Sequence, residues 1–185
     1  MNSLTKNMTI IPVFAGLTCI GGFIRIPLSP VPITLQTLFV YMAGILLGAW
    51  PGMLSQALFL IIGLIGIPVF VHGSGPAYVF QPTFGYLLAF PLAAWVTGMI
   101  AHRAQSALPS VRVLLPAMLA GMGIIFGLGY AGLVLNLHWI AGKTVHFIGL
   151  FWSGVLLFLP GEIMKMILAG YLTKKLFSIS PKGAR

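Results

Sequence analysis

The sequence predicts an all-α integral membrane protein with six transmembrane helices and an apolar proline-rich loop between helices 1 and 2. Three observations carry that expectation. Of 185 residues, 59% are hydrophobic and only 6% are charged. Mean hydropathy is +1.06, which is more apolar surface than a soluble domain of this size can hide. The apolar stretches divide into lengths suited to a bilayer, with room for about six spans of ~20 residues and short connections. Nothing is left over for a separate soluble domain, so residues 1–185 are expected to form one membrane domain.

The first span is expected over residues 9–23, without the small-residue cleavage site of a signal peptide, and so as a retained helix. Within it Ala15 and Cys19 are four apart, as are Thr18 and Gly22. Small residues at that spacing admit another helix closely, either within this protein or from a partner subunit. Pro27, Pro30 and Pro32 then forbid helix and favour an extended path. The segment is apolar, and non-helical backbone at membrane depth must be buried in protein or line a cavity. It is therefore read as a lid over a pocket. A second span is expected over 35–47, a tight turn over 48–52, and a third span over 53–67. A long loop over 68–83 precedes a fourth span at 84–100. A polar connection follows over 102–112, with a fifth span over 114–135. Residues 136–143 turn the chain, 146–157 form a short interfacial or half-span helix, and 160–177 form the sixth span, with Pro160 at its first turn.

The charges are distributed unevenly. Lys6, Arg103, Arg112, Lys174, Lys175, Lys182 and Arg185 share one side of a six-span protein, Arg25 and Lys143 fall opposite, and Lys165 lies near a span end. That asymmetry predicts both termini in the cytoplasm and the protein in the cytoplasmic membrane. The basic tail suits anionic membrane lipid. Nucleic acid is not an expected partner, since it would want a basic groove with interleaved aromatics.

Glu162 is the only acidic residue of the chain, and Lys165 follows it by three positions. At that spacing both side chains leave the helix on one face. The carboxylate suits the positive end of the helix dipole, whereas the ammonium does not. In water such a pair contributes only ~0.2–0.5 kcal/mol, far less than the several kcal/mol per ion that desolvation costs. A bound polar ligand can supply the missing hydrogen bonds, so the pair is a ligand-site candidate. Thr34 and Gln36 open the second span. Thr34 is either a helix cap or a site residue, and Gln36 either faces headgroups or offers its amide to a ligand. Tyr78, Phe80, Gln81, Thr83 and Tyr86 cluster at the entry to the fourth span, as an aromatic belt or as a pocket wall.

Catalysis is not expected. One carboxylate cannot furnish a base–acid set for Ser29 or Ser74. Ala141-Gly142-Lys143-Thr144 ends like a phosphate-binding loop, but Leu137 stands where the first glycine belongs. His72, His102, His138 and His146 lack metal-ligand spacing, and lone Cys19 can form no internal disulfide. Any pumping must draw on another protein or an ion gradient.

Three segments resemble the BioY family, the biotin-specific substrate-binding (S) components of energy-coupling factor (ECF) transporters. They are Ile26-Pro27-Leu28-Ser29-Pro30-Val31-Pro32-Ile33-Thr34-Leu35-Gln36-Thr37-Leu38, the run from Gly75-Pro76-Ala77-Tyr78 through Pro82-Thr83-Phe84-Gly85-Tyr86, and Leu159-Pro160-Gly161-Glu162-Ile163-Met164-Lys165. Glu162 stands where the family more often carries aspartate. The resemblance implies no cofactor and biotin as transported ligand, captured near the outer face. It also implies association with a transmembrane coupling protein and two ATPases. On that reading Glu162 accepts from the ureido N–H groups, and Lys165 donates to the ureido carbonyl or the carboxylate. Gln36 and Tyr86 complete the polar set, Tyr78 and Phe80 cover the apolar ring, and Thr34 and Gln81 are further substrate-binding candidates. The rival readings are a structural membrane protein whose charged pair fixes helix register and a stand-alone carrier coupled to protons through Glu162.

Overall fold

The computed structural model describes residues 3–29, 31–103, 110–142 and 146–179. Pro30, the Lys6 side chain, residues 104–109, Lys143, Thr144, Lys182 and Arg185 lie outside the described residues. Helix α1 covers Ser3–Phe23, α2 Gln36–Leu47, α3 Ala49–Leu64, α4 Phe84–Arg103, α5 Val111–Leu135, α6 Phe147–Gly154 and α7 Leu159–Ile179. Between α1 and α2 the chain makes a small ribbon, β1 (Arg25–Ile26) against β2 (Ile33–Thr34). It is antiparallel, with Arg25 opposite Thr34 and Ile26 opposite Ile33. Short 3₁₀ turns at Pro76–Phe80 and Leu156–Phe158 precede α4 and α7, and a π turn, Asn136–Ile140, ends α5.

Apart from that ribbon the regular elements of the described residues are helical, and the protein is a multi-pass membrane protein. Three stretches are long and apolar enough to cross a bilayer by themselves: Phe84–Arg103, Val111–Ile140 and Phe147–Ser178. The apolar helices Thr9–Phe23, Gln36–Leu47 and Ala49–Leu64 are shorter. At a rise of 1.5 Å per residue, the 12 residues of α2 reach only about 18 Å. Outward faces are apolar, with Ile148, Trp139 and Met164 each more than 70% exposed, as suits a surface in contact with acyl chains.

The turn expected over 48–52 is much tighter than its five residues suggest. Gly48 alone joins α2 to α3, at φ 92°, a left-handed conformation open to glycine. Pro51 sits in the first turn of α3, where its missing N–H leaves no hydrogen bond unmade. Close helix approach does the rest. A Cβ on Gly98 of α4 would lie 2.7 Å from the Gly44 carbonyl of α2, and one on Gly85 would lie 2.9 Å from Gly132 Cα of α5. Helix α4 thereby packs against α2, α3 and α5, α1 lies against α2 and α3, and α7 packs on α2 and α5. On α1, Ala15, Thr18 and Gly22 are buried and Cys19 is half-buried. Thr18 donates to Gln56 Oε1 of α3 at 3.2 Å. Most of this small-residue stripe therefore serves packing inside the protein.

The connections gather at two ends. One end carries the β1–β2 ribbon, loop 65–83 and the segment from the π turn to α7. At the other, His102 Nε2 meets the Ile45 carbonyl at 2.9 Å, beside Gly48.

Candidate functional site

The ribbon end holds a buried polar network between α2 and α7. Glu162 stands in the first turn of α7, where free backbone N–H groups favour a carboxylate. It is 1% exposed, and Lys165 is 7% exposed. The two form a direct ion pair through Glu162 Oε1. Thr37 and Tyr41, four residues apart on α2, turn the same face to α7. Thr37 Oγ1 donates to Glu162 Oε1 at 2.9 Å, and the Tyr41 hydroxyl donates to Oε2 at 2.8 Å. Lys165 Nζ donates to the Thr34 carbonyl at 2.9 Å and to Thr37 Oγ1 at 2.7 Å. With the Glu162 contact, all three ammonium protons are used. Each carboxylate oxygen can accept two bonds, and Oε2 takes one from Tyr41.

Gln36 completes this corner. It is 2% exposed, so the headgroup alternative does not hold. Its Oε1 accepts from Thr34 Oγ1 at 3.1 Å, while Nε2 is buried with no partner. The cap of α2 is Leu35, without a side-chain hydrogen bond, so Thr34 does not play the capping role that its position suggested. A buried amide with idle donors is costly, at roughly 1–3 kcal/mol.

Thr34, Gln36, Thr37, Glu162 and Lys165 line a cavity of about 50 Å³, with Tyr41 behind them. Apart from Thr83 its remaining walls are apolar or aromatic, among them Val31 and Pro32 of the ribbon segment, Val71 and Tyr78 of the long loop, Tyr86 and Phe90 of α4, Ile125 and Phe126 of α5, and Phe158. Tyr86 is fixed by donation from its hydroxyl to the Gly154 carbonyl at 2.9 Å, and its ring stands edge-on to Phe126. Tyr78 is 3% exposed, packs on Phe70 at 4.6 Å between centroids and shares a 3.0 Å hydrogen bond with Thr83. Burial pushes its hydroxyl above the ordinary range, against the opposing effects of Thr83 and the Arg25 charge, so it stays neutral.

Of the residues singled out from the sequence, the cavity brings together Glu162, Lys165, Gln36, Thr34, Tyr78, Thr83 and Tyr86. Phe80 and Gln81 lie outside it. Phe80 is 64% exposed and its carbonyl accepts from Asn136 Nδ2 at 2.7 Å, while Gln81 faces an outer groove between α4 and α5. The 3₁₀ turn sends Tyr78 inward and its neighbours Val79 and Phe80 outward. Thr37 and Tyr41 are the residues that sequence reasoning missed. Their signal was present, because a tyrosine in mid-span needs a partner for its hydroxyl, and Thr37 lies one turn before it. Among the described residues no group of His, Cys, Asp or Glu could hold a metal ion.

A helical membrane protein with a small, aromatic-walled cavity closed by loops at one end, and one charged corner inside it, has the form of a solute-binding membrane component. Comparison with known proteins makes this specific. The BioY family model matches residues 1–182, and the chain belongs to the BioY family. It is 42% identical over 164 residues to the probable biotin transporter BioY of Lysinibacillus sphaericus, covering 88% of this chain and 79% of that one. It is 34% identical to the biotin transporter BioY of Thermotoga maritima, covering 89% and 91%. Its fold matches the crystal structure of the S-component for biotin from an ECF-type ABC transporter with TM-score 0.80 and 28% identity, covering 94% of this chain and 92% of that one.

Proposed function

We propose that this chain captures biotin with high affinity and carries it across the cytoplasmic membrane as the S component of an ECF-type transporter. The observation that carries the reading is the charged corner inside an aromatic cavity, with a spare acceptor position on Glu162 Oε2 and idle donors on Gln36 Nε2. Biotin presents a matching set: ureido N–H donors, a ureido carbonyl, an apolar thioether ring and a valerate carboxylate. Glu162 receives the N–H groups, held in place by Thr37 and Tyr41. Gln36 donates to the ureido carbonyl, because the Lys165 protons are already committed to Thr34, Thr37 and Glu162. Thr34 orients Gln36, and Tyr78, Tyr86 and Phe126 cover the rings.

Four further features belong to this reading. Residues 1–185 form a single domain in which α1, α2, α3, α4, α5 and α7 cross the membrane, with α6 lying at the interface. Both termini are cytoplasmic, as the basic residues favour, so the ribbon end faces outward. The cavity is small beside the roughly 300 Å³ or more of typical small-molecule sites, so the β1–β2 segment and loop 65–83 move apart to admit biotin and close over it. Energy comes from outside the chain, through a transmembrane coupling protein and two ATPase subunits. Titration of purified protein with biotin by calorimetry tests the reading, which requires saturable one-to-one binding without nucleotide.

A further inference from the structure

We propose that Arg25 anchors the carboxylate of the solute at the mouth of the cavity and so makes the site selective for the free acid. This assignment rests on the proposed function and adds to it the group that reads solute charge. Arg25 is exposed and lies in β1, opposite Thr34 of the charged corner. Its Nη1 donates to the carbonyl of Val71, a residue of the cavity wall. The guanidinium thus ties the ribbon to the long loop, the two segments that roof the cavity, and its charge reaches the Tyr78 hydroxyl in that wall.

No side chain of the protein is free to neutralise it. The chain has one acidic side chain in total, and Glu162 is already paired with Lys165. Its flanking residues, Ile24 and Ile26, are apolar and exposed. Arginine offers five N–H donors in a planar fork suited to a carboxylate, and the Val71 carbonyl takes one of them. Lys165, the other described cation at this end, has no proton left to give. A solute whose uncharged head lies against Glu162 and Gln36 and whose tail ends in a carboxylate therefore meets its only free cationic partner, among the described residues, at the roof. There the contact also draws the ribbon and the loop together.

The experiment titrates purified wild-type protein and the variants R25Q and R25K with biotin and with biotin amide, which keeps the rings and the chain but loses the charge. Wild type is expected to prefer biotin to the amide by about tenfold, the scale of a charge-assisted hydrogen bond at a partly solvated site. R25Q is expected to lose that preference, its affinity for biotin falling about tenfold further than its affinity for the amide, and R25K to retain part of it. Equal affinity of wild type for the two ligands would overturn the assignment whether or not the variants fold. So would an R25Q protein that still discriminates, one that loses both ligands equally, which marks Arg25 as a structural tie, or one unchanged for both, which marks it as a headgroup contact. Each of these leaves biotin capture standing. Absence of biotin binding by folded wild type sinks the two together.

Discussion

At the scale of single residues, the charged corner makes two separable demands. Glu162, Lys165, Thr37 and Tyr41 satisfy one another, so breaking the pair has a cost even before a ligand arrives. Removing one partner of a buried ion pair costs about 3–5 kcal/mol. Glu162→Gln and Lys165→Met are each expected to lower the melting temperature and to weaken biotin binding in the folded fraction by roughly 100- to 1000-fold. The double variant removes the stranded charge and should recover stability while remaining a poor binder. Wild-type affinity in that double variant would make the pair a register device between α2 and α7. Gln36 gives the complementary case. Its Nε2 has no partner, so Gln36→Leu is expected to leave thermal stability unchanged or slightly raised while reducing biotin affinity about tenfold. Melting curves and titrations on the same preparation check both halves.

At the scale of elements, the cavity wall depends on close helix contacts. A Cβ on Gly129 of α5 would fall 2.1 Å from the Tyr86 ring. Gly129→Val is expected to destabilise by about 1–3 kcal/mol through overpacking and to weaken binding by displacing that ring, which a melting curve with a biotin titration would show. The sequence made some of this legible and not the rest. Pro27, Pro30 and Pro32 excluded helix between α1 and α2, and the chain there forms an extended ribbon on either side of its turn. Glu162 and Lys165 stood out because charge in an apolar chain is conspicuous. Thr37 and Tyr41 did not, because hydroxyls are unremarkable by composition and their importance lies in contact with residues more than 120 positions away. The wall residues Phe126 and Phe158 carry no signal in the sequence, since periodicity alone cannot tell one side of a fully apolar helix from another. Phe80 and Gln81 were grouped with Tyr78 by adjacency, which a single 3₁₀ turn undoes.

At the scale of the whole molecule, the end with the cavity carries Arg25, and the opposite end carries Arg103, Arg112, Lys174 and Lys175 among the described residues. That distribution favours cytoplasmic termini for a chain with an even number of crossings. A cysteine added at either terminus, in a Cys19→Ser background, is expected to be protected from an impermeant reagent in intact cells and labelled after lysis. Labelling of either terminus from outside would invert the site with respect to its supply of solute. The most direct measurement of the central claim is calorimetric titration of the detergent-purified, folded chain with biotin, with neither coupling protein nor nucleotide present. The account predicts saturable binding at one biotin per chain. The absence of any heat or tryptophan-fluorescence change up to high micromolar biotin would contradict it.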